Sequence, residues 1–496
     1  MISRRVSPVN AALARNRLGV ASVVFFVVAA AAPLTVIAGA VTTGYGVTGF
    51  GGVPVAFVAV ALILAVFATG FVAMSRRIVN AGAFYTYIAQ GLGRPAGVAG
   101  AWVALAAYNL MEIGLLGGFG LVASMVLEVA AGVTVSWLTC ALAGWLLIAV
   151  LGRLRVDLNG RVLACLLLGE IAIALIYDAV LLAHPAGGRL DFSPLSPGWL
   201  LVPGGIAACV GAIASSVGFE STVVFAEETK DPRRTVPRAT YLAIAITGAI
   251  YALSAWALPV AVGADGIQTA AQAQGTELMF NLVLPYLGQS LVDAGHVLLL
   301  TSLFAAALAF HNVVARYVFA LGRERVLPAA LGRAGRSGAP GRGSLLQTAI
   351  ALAALLIAWA LDADPAVHLL FWLTVVGGFG VLLLMAATSL AVLAFFQRDP
   401  SHERWWRRRL APAIATLVLT AVAVGSVAQF HILLGVPATA PVRWVFPAGY
   451  AVLIGLGLAW AAVLRRTRPE IYRAVGLGAN SASRPSARVA DLISSS

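Results

Sequence analysis

Four ionisable side chains lie inside long apolar runs: Glu112 in AAYNLMEIG, Glu170 in CLLLGEIAIALIY, Glu220 in SSVGFEST, and His311 in AFHNVV. A charge in hydrocarbon is expensive, so such groups pair, stay neutral or do work. Glu170 reads as a proton-coupling site, or as a protonated donor that ties two helices. Glu220 reads as a proton sensor or as a structural tie. Glu112 falls one helical turn from Tyr108, so the two share a face; they border a ligand, where Glu112 could attract a second amine, or they hydrogen-bond between helices. His311 is a proton carrier or a packed, satisfied histidine. Asp178, Asp293 and His296 fall near the ends of apolar runs and read as interfacial.

Two stretches could hold a ligand by backbone alone. The first apolar run is interrupted at Ala31-Ala32-Pro33-Leu34-Thr35, where Pro33 has no N–H and clashes with the preceding turn. The sixth is interrupted at Ser215-Ser216-Val217-Gly218-Phe219, just ahead of Glu220. Freed backbone groups are tolerated at membrane depth only where they line a cavity. Ala31 to Thr35 and Ser215 to Phe219 are therefore the candidate ligand-binding residues, joined by Tyr108 and Glu112.

The elements that carry these residues are membrane spans. The chain has 496 residues, 60% hydrophobic and 11% charged, against about 25% charged in a soluble domain. Apolar runs near 18–45, 52–74, 96–127, 134–152, 159–183, 199–227, 238–261, 287–322, 345–361, 366–396, 411–434 and 442–464 give twelve transmembrane helices. Five spans separate the start of one interrupted run from the start of the other. Five is odd, so a second unit beginning at the sixth span is inverted relative to the first. The alternative is a proline kink plus an unrelated Gly/Ser stretch.

Net charge is +13, almost all from arginine, with Lys230 the only lysine. With the N-terminus inside, outer loops keep only Arg189 and Arg443, and the remaining 31 of 33 basic residues lie inside or on inner helix ends. The charge therefore sets topology, with both termini cytoplasmic, and is not read as a nucleic-acid surface. Residues 80–94 are amphipathic and too short to span, which suggests a surface or re-entrant helix; 276–282 reads as a short lid helix or as an ordinary connector. Cys140, Cys165 and Cys209 lie in apolar runs without metal or disulfide spacing. The sequence has no GxxxxGK[ST] loop, no HExxH and no CxxC pair, so neither an ATP-driven pump nor a metal-dependent or serine-type enzyme is expected.

The motif GFESTVVFAEETKDPRRTVPRA (218–239) resembles the signature that follows helix 6 in the amino acid–polyamine–organocation permeases. LGRERVLP (321–328), preceded by Phe310-His311-Asn312 and Arg316-Tyr317, resembles the same family's motif after helix 8. Gly82-Ala83-Phe84-Tyr85-Thr86-Tyr87 is similar to its first inner loop. The resemblance covers roughly residues 18–465. It implies an all-α, LeuT-type fold: inverted repeats at 18–198 (helices 1–5) and 199–397 (helices 6–10) and two further helices at 398–464. Residues 1–17 read as a cytoplasmic tail, and the Ser-, Ala- and Arg-rich composition of 465–496 reads as a disordered cytoplasmic tail. It also implies a substrate held at the opened backbone of helices 1 and 6. Many members carry a lysine near Glu170, where its charge stands in for sodium; here the sign is reversed. The first break departs from the common Gly-Ser-Gly, and no aromatic precedes the second. Phe219, or Tyr108 or Trp372 elsewhere, would have to serve as the aromatic gate.

The expected activity is secondary active transport of amino acids or related amines across the plasma membrane by alternating access. Symport driven by a proton gradient is the first expectation and exchange the second, with Glu170, Glu220 and His311 as coupling candidates. Sodium coupling through backbone near Ala32 with Thr301 or Ser302 is the weaker one. No cofactor or metal is expected, and no nucleic acid; the partners are a small-molecule substrate and the lipid bilayer. A polyamine or organic-cation substrate stays open because of Glu112 and Glu170. A channel or non-transporting sensor on the same fold is the alternative from another class. Oligomeric state is left open.

Overall fold

The structure is a computed structural model and describes residues 18–78, 80–153, 156–202, 204–335, 339–399 and 403–478. The expected N-terminal tail at 1–17 lies outside the described residues. Among those described the chain is helical throughout, without a strand; one isolated backbone bridge joins Leu18 to Thr229. Among the described residues ten helices are long and apolar enough to cross a bilayer. The Trp137–Leu151 helix has 15 residues, which at about 1.5 Å per residue falls short of a ~30 Å hydrocarbon layer. The Val156–Ala183 helix carries Glu170.

Apolar residues encircle these helices, as they must when one side meets protein and the other lipid. Val53–Ser75 buries Phe57, Val60 and Phe67 while Leu62 stays 65% exposed; Trp406–Ala428 buries Ala415 and Leu419 while Leu417 and Val424 stay exposed. Such faces are stable against hydrocarbon and not against water. The protein is a multi-pass membrane protein.

The loops gather on two faces. On the basic face, Ala81, Glu227, Arg323 and Glu324 meet; on the opposite face Gln272 Nε2 donates to the Gly46 carbonyl and Trp256 Nε1 to the Asp191 carbonyl. The amphipathic stretch near 80–94 forms the Ala83–Leu92 helix on the basic side. Phe84, Tyr85 and Tyr87 in it are fully buried, so it re-enters the protein and does not lie on the surface.

The expected disorder from 465 is corrected for the described part of that tail. The helix Val442–Thr467 is followed by a short helix, Pro469–Ala474, which buries Ile471 and Val475 against the protein. Gly476 N–H and Gly478 N–H donate to Glu324 at 2.8 and 2.7 Å, and Gln90 Nε2 donates to the Gly476 carbonyl. A Ser/Ala/Arg-rich composition hides this, because the anchors are two apolar side chains and backbone amides. Burial pushes the Glu324 carboxyl above its ordinary range, and the two N–H donors oppose that shift. A carboxyl raised on folding favours the folded state at low pH, and that contribution is lost as pH rises through the raised value. Removing the residues from Gly476 onward deletes three hydrogen bonds, two to Glu324 and one from Gln90, of about 1 kcal/mol each. Hydrogen exchange in Ala83–Leu92 is then expected to speed up by about 100-fold; unchanged exchange would show that the strap holds nothing.

Candidate functional site

The two interrupted rods touch at their breaks. The first, Val20–Thr48, stops as Val20–Ala31 and restarts at Pro33, with Ala32 at φ +46° between. The sixth, Gly205–Val224, stops at Ser216, runs extended through Val217, turns at Gly218 with φ +128° and resumes at Ser221. A Cβ on Gly218 would sit 3.0 Å from Ala30 Cβ and 3.2 Å from the Val27 carbonyl oxygen. The glycine is needed twice over: for its backbone angle and for the approach of the other break.

Backbone groups freed by the breaks have partners. At the first break Ala31 carbonyl accepts from the Tyr251 hydroxyl at 2.5 Å. Pro33 has no N–H. Leu34 N–H and the Ser302 hydroxyl face the Glu170 carboxyl, whose Oε2 is buried without a partner. Thr35 N–H and hydroxyl both point at Ser302 Oγ, at 3.4 and 3.1 Å. At the second break Gly218 N–H donates to Glu220 Oε2 at 2.9 Å, and the Tyr108 hydroxyl donates to Oε1 at 2.8 Å. Ser221 hydroxyl donates back to the Gly218 carbonyl. Each break is thus braced by a buried carboxylate.

A cavity of about 1030 Å³ ends on the breaks and reaches the face opposite the basic one. Ala31, Ala32, Thr35, Ser215 and Val217 line it, together with Met111, Phe310 and Thr374. Near its mouth it is lined by Glu277, Asp293 and His296; His296 Nε2 is 2.8 Å from Glu277 Oε2. Of the other expected ligand-binding residues, Pro33, Leu34, Ser216, Gly218 and Phe219 are buried behind this lining, as is Tyr108. Phe219 packs edge-on against Phe67, ring centres 5.9 Å apart. Trp372 sends Nε1 to the Leu434 carbonyl and its ring to Phe446. Neither lines the cavity; the aromatic side chains that do are Phe57, Phe310 and Phe371.

Towards the basic face the cavity is shut. Arg316 grips Glu228 at 2.6 and 3.3 Å, and Arg323 grips Glu227 at 2.7 and 2.9 Å. The Arg316 and Glu228 side chains are each 2% exposed, and the Arg316 guanidinium also stacks over Phe225. Leu18 N–H donates to the Glu228 carbonyl, and Lys230 N–H to the Leu18 carbonyl, which pins the start of the first rod across the same seam.

Glu112 and His311 meet away from the cavity. His311 Nδ1 is 2.9 Å from Glu112 Oε1 and Nε2 is 2.8 Å from Ser344 Oγ; Gln347 Nε2 donates to Glu112 Oε2. Four groups on three helices bond to one another, with Gln347 Oε1 buried and left without a partner. Asp178, expected near the interface, is buried and accepts from Ser254 at 2.6 Å. Tyr251 and the mouth residue Glu277 were missed. An aromatic in an apolar run and an acid in a loop carry no signal until the fold brings them to a site.

The family comparison fits this architecture. The family model described as "Amino acid permease" matches residues 22–473, and the chain belongs to that family. Two curated relatives are low-affinity putrescine importers named PlaP, from Escherichia coli strain K12 and from Escherichia coli O157:H7. Each is 25% identical over 296 residues, covering 56% of this chain and 61% of the relative. The match thus spans less than two thirds of the length of these relatives.

Proposed function

We propose that this chain is a secondary active transporter of amino acids or related amines, working by alternating access in the plasma membrane. The observation that carries the reading is the cavity that ends on two contacting helix breaks, open at one face and closed by buried ion pairs at the other. The putrescine importers among its relatives support the amine side of the substrate class. The arginine distribution supports a cytoplasmic basic face with both termini there, so the state described is outward-facing. Twelve spans as two inverted five-span units plus two helices is the arrangement we adopt: the ten long helices, Trp137–Leu151 and Val156–Ala183.

Glu170 is the proton-coupling residue in this reading. It faces Leu34 N–H, Ser302 and, at longer range, Tyr251, so its protonation state bears directly on the restart of the first rod. Glu220, braced by Tyr108 and Gly218, is the second coupling group; His311 serves as a structural tie. The test is uptake into proteoliposomes under an imposed pH gradient. Wild-type protein is expected to accumulate substrate against its gradient, and Glu170→Gln to transport with its pH dependence flattened. An unchanged pH profile in that variant would remove Glu170 from coupling, and non-saturable uptake that never exceeds equilibrium would favour a channel.

A further inference from the structure

The helices Val53–Ser75 and Trp406–Ala428 pack side by side and cross at Gly70, where a Cβ would come within 2.7 Å of Pro412 Cγ. On the basic side of this crossing arginines gather. Residues 403–410 read ERWWRRRL, and Arg76 and Arg77 follow the end of the first helix. One carboxylate ties the two groups together: Glu403 lies 3.8 Å from Arg76 Nη1 and 3.8 Å from Arg407 Nη1. Both pairs are loose, and one glutamate among six arginines leaves a surplus of positive charge. Arg77, Arg404 and Arg409 are exposed. Trp405 and Trp406, 55% and 44% exposed, stand among them, and tryptophan favours the depth of lipid headgroups. Topology asks only that arginines lie in inner loops; it does not bring two distant loops onto one carboxylate.

Beyond the crossing, towards the middle of the membrane, the same two helices leave an apolar groove of about 130 Å³ between Leu62, Ile63 and Val66 on one and Ile414, Ala415 and Val418 on the other. Its rims face outward, with Leu62 65% and Ile414 39% exposed. Val66 and Val418 lie ten and nine residues from Arg76 and Arg409, roughly 15 Å at the helical rise. Half of a ~30 Å hydrocarbon layer has the same length, so groove and arginines belong to one leaflet, at acyl-chain and headgroup depth. We propose that together they form a binding site for an anionic phospholipid of the leaflet on the basic face. Its phosphate lies between Arg76–Arg77 and Arg404–Arg409, and an acyl chain lies in the groove. Guanidinium groups hold phosphate oxygens through paired N–H donors, and a groove lined only by apolar side chains is filled by methylenes and not by water. A soluble phosphate would use the arginines and leave the groove empty. The lipid bridges the two helices beside the closed seam: Ala81, five residues past Arg76, donates its N–H to the Glu227 that Arg323 grips.

The test is native mass spectrometry of the purified full-length protein, titrated with phosphatidylglycerol or with phosphatidylcholine of the same acyl chains. Each arginine against an anionic headgroup is worth about a five-fold preference, so phosphatidylglycerol is expected to bind at least about 10-fold more tightly. The triple variant Arg404→Gln, Arg407→Gln, Arg409→Gln is expected to reduce that preference below about 3-fold. Val418→Trp fills the groove from a half-buried position and is expected to weaken the first bound lipid of either kind at least about 5-fold. Arg465→Gln with Arg466→Gln removes charge at the inner end of another helix, Val442–Thr467, and is expected to leave the preference as it was. Glycerol 1-phosphate, which has the charge and no chain, is expected not to displace the lipid. Thermal unfolding in phosphatidylcholine alone reports whether each variant is folded; if the triple variant is not, Arg409→Gln alone, at an exposed position, is expected to lower the preference about 5-fold. Equal binding of the two lipids by the wild-type protein, or a preference that survives in the folded arginine variant, overturns the proposal. So does an equal loss in the Arg465 and Arg466 variant, which would mark a diffuse surface charge, and so does displacement by glycerol 1-phosphate, which would mark a soluble-anion site. Undiminished binding by Val418→Trp takes away the groove and the lipid with it.

Discussion

A Gly218→Val protein is expected to insert and fold yet accumulate no substrate, with uptake reduced at least about 100-fold. The backbone at Gly218 has φ +128°, a region in which a non-glycine residue costs about 1–3 kcal/mol. The added Cβ would also press on Ala30 Cβ at 3.0 Å and on the Val27 carbonyl at 3.2 Å. Both atoms are fixed, one to backbone and one part of it, so relief requires the two breaks to part. Parting them shifts Ala31 and Ser215 in the cavity wall and pulls Gly218 N–H from Glu220. Transport assayed beside membrane abundance and thermal unfolding separates this from simple loss of protein. Gly218→Ala meets the same backbone restriction with less bulk and should keep partial activity. Wild-type uptake in both variants would mean that the contact between the rods is incidental.

Arg316→Ala is expected to reverse which side of the membrane reaches the cavity. Arg316 and Glu228 are buried together, and removing one partner of such a pair leaves the other charge stranded at a cost of about 3–5 kcal/mol. That cost falls on the state in which the seam is shut. The opposite state gains weight by a factor of about 100 or more. A cysteine introduced at Ser215, in a background lacking Cys140, Cys165 and Cys209, reports the change through a membrane-impermeant thiol reagent. The parent should label from the outer face and the Arg316→Ala variant from the cytoplasmic face. Adding Glu228→Gln removes the stranded charge and should restore part of the outer labelling. Identical sidedness in all three would dismiss the pair as a gate.

The sequence announces the two breaks because their cause is local. Proline without an N–H and glycine amid small residues disturb a helix whatever surrounds them, and the structure interrupts both rods within a residue of Pro33 and at Gly218. Buried acids were equally visible, since a carboxylate stands out in an apolar run. What they touch was not. Glu170 meets Leu34 and Ser302, and Glu112 meets His311, only after helices far apart in sequence pack. The arginine partners of Glu227 and Glu228 lie 96 and 88 residues further along, so the local sequence carries no sign of these pairs. The aromatic candidates Phe219 and Trp372 failed to reach the cavity because rotation of a helix about its axis decides which face is presented, and a nearly uniform apolar pattern does not encode that rotation.

The strap at 469–478 is synthesised after all the helices that it ties together. Every rod, both breaks and the arginine pairs are synthesised before Gly476 and Gly478 exist to meet Glu324. During biogenesis the chain therefore passes through a stage in which its helices are inserted but Glu324 has not yet found these amides. A fusion partner joined too close behind Gly478 would hold the protein at that stage, so reporter tags belong at the other terminus or behind a long spacer.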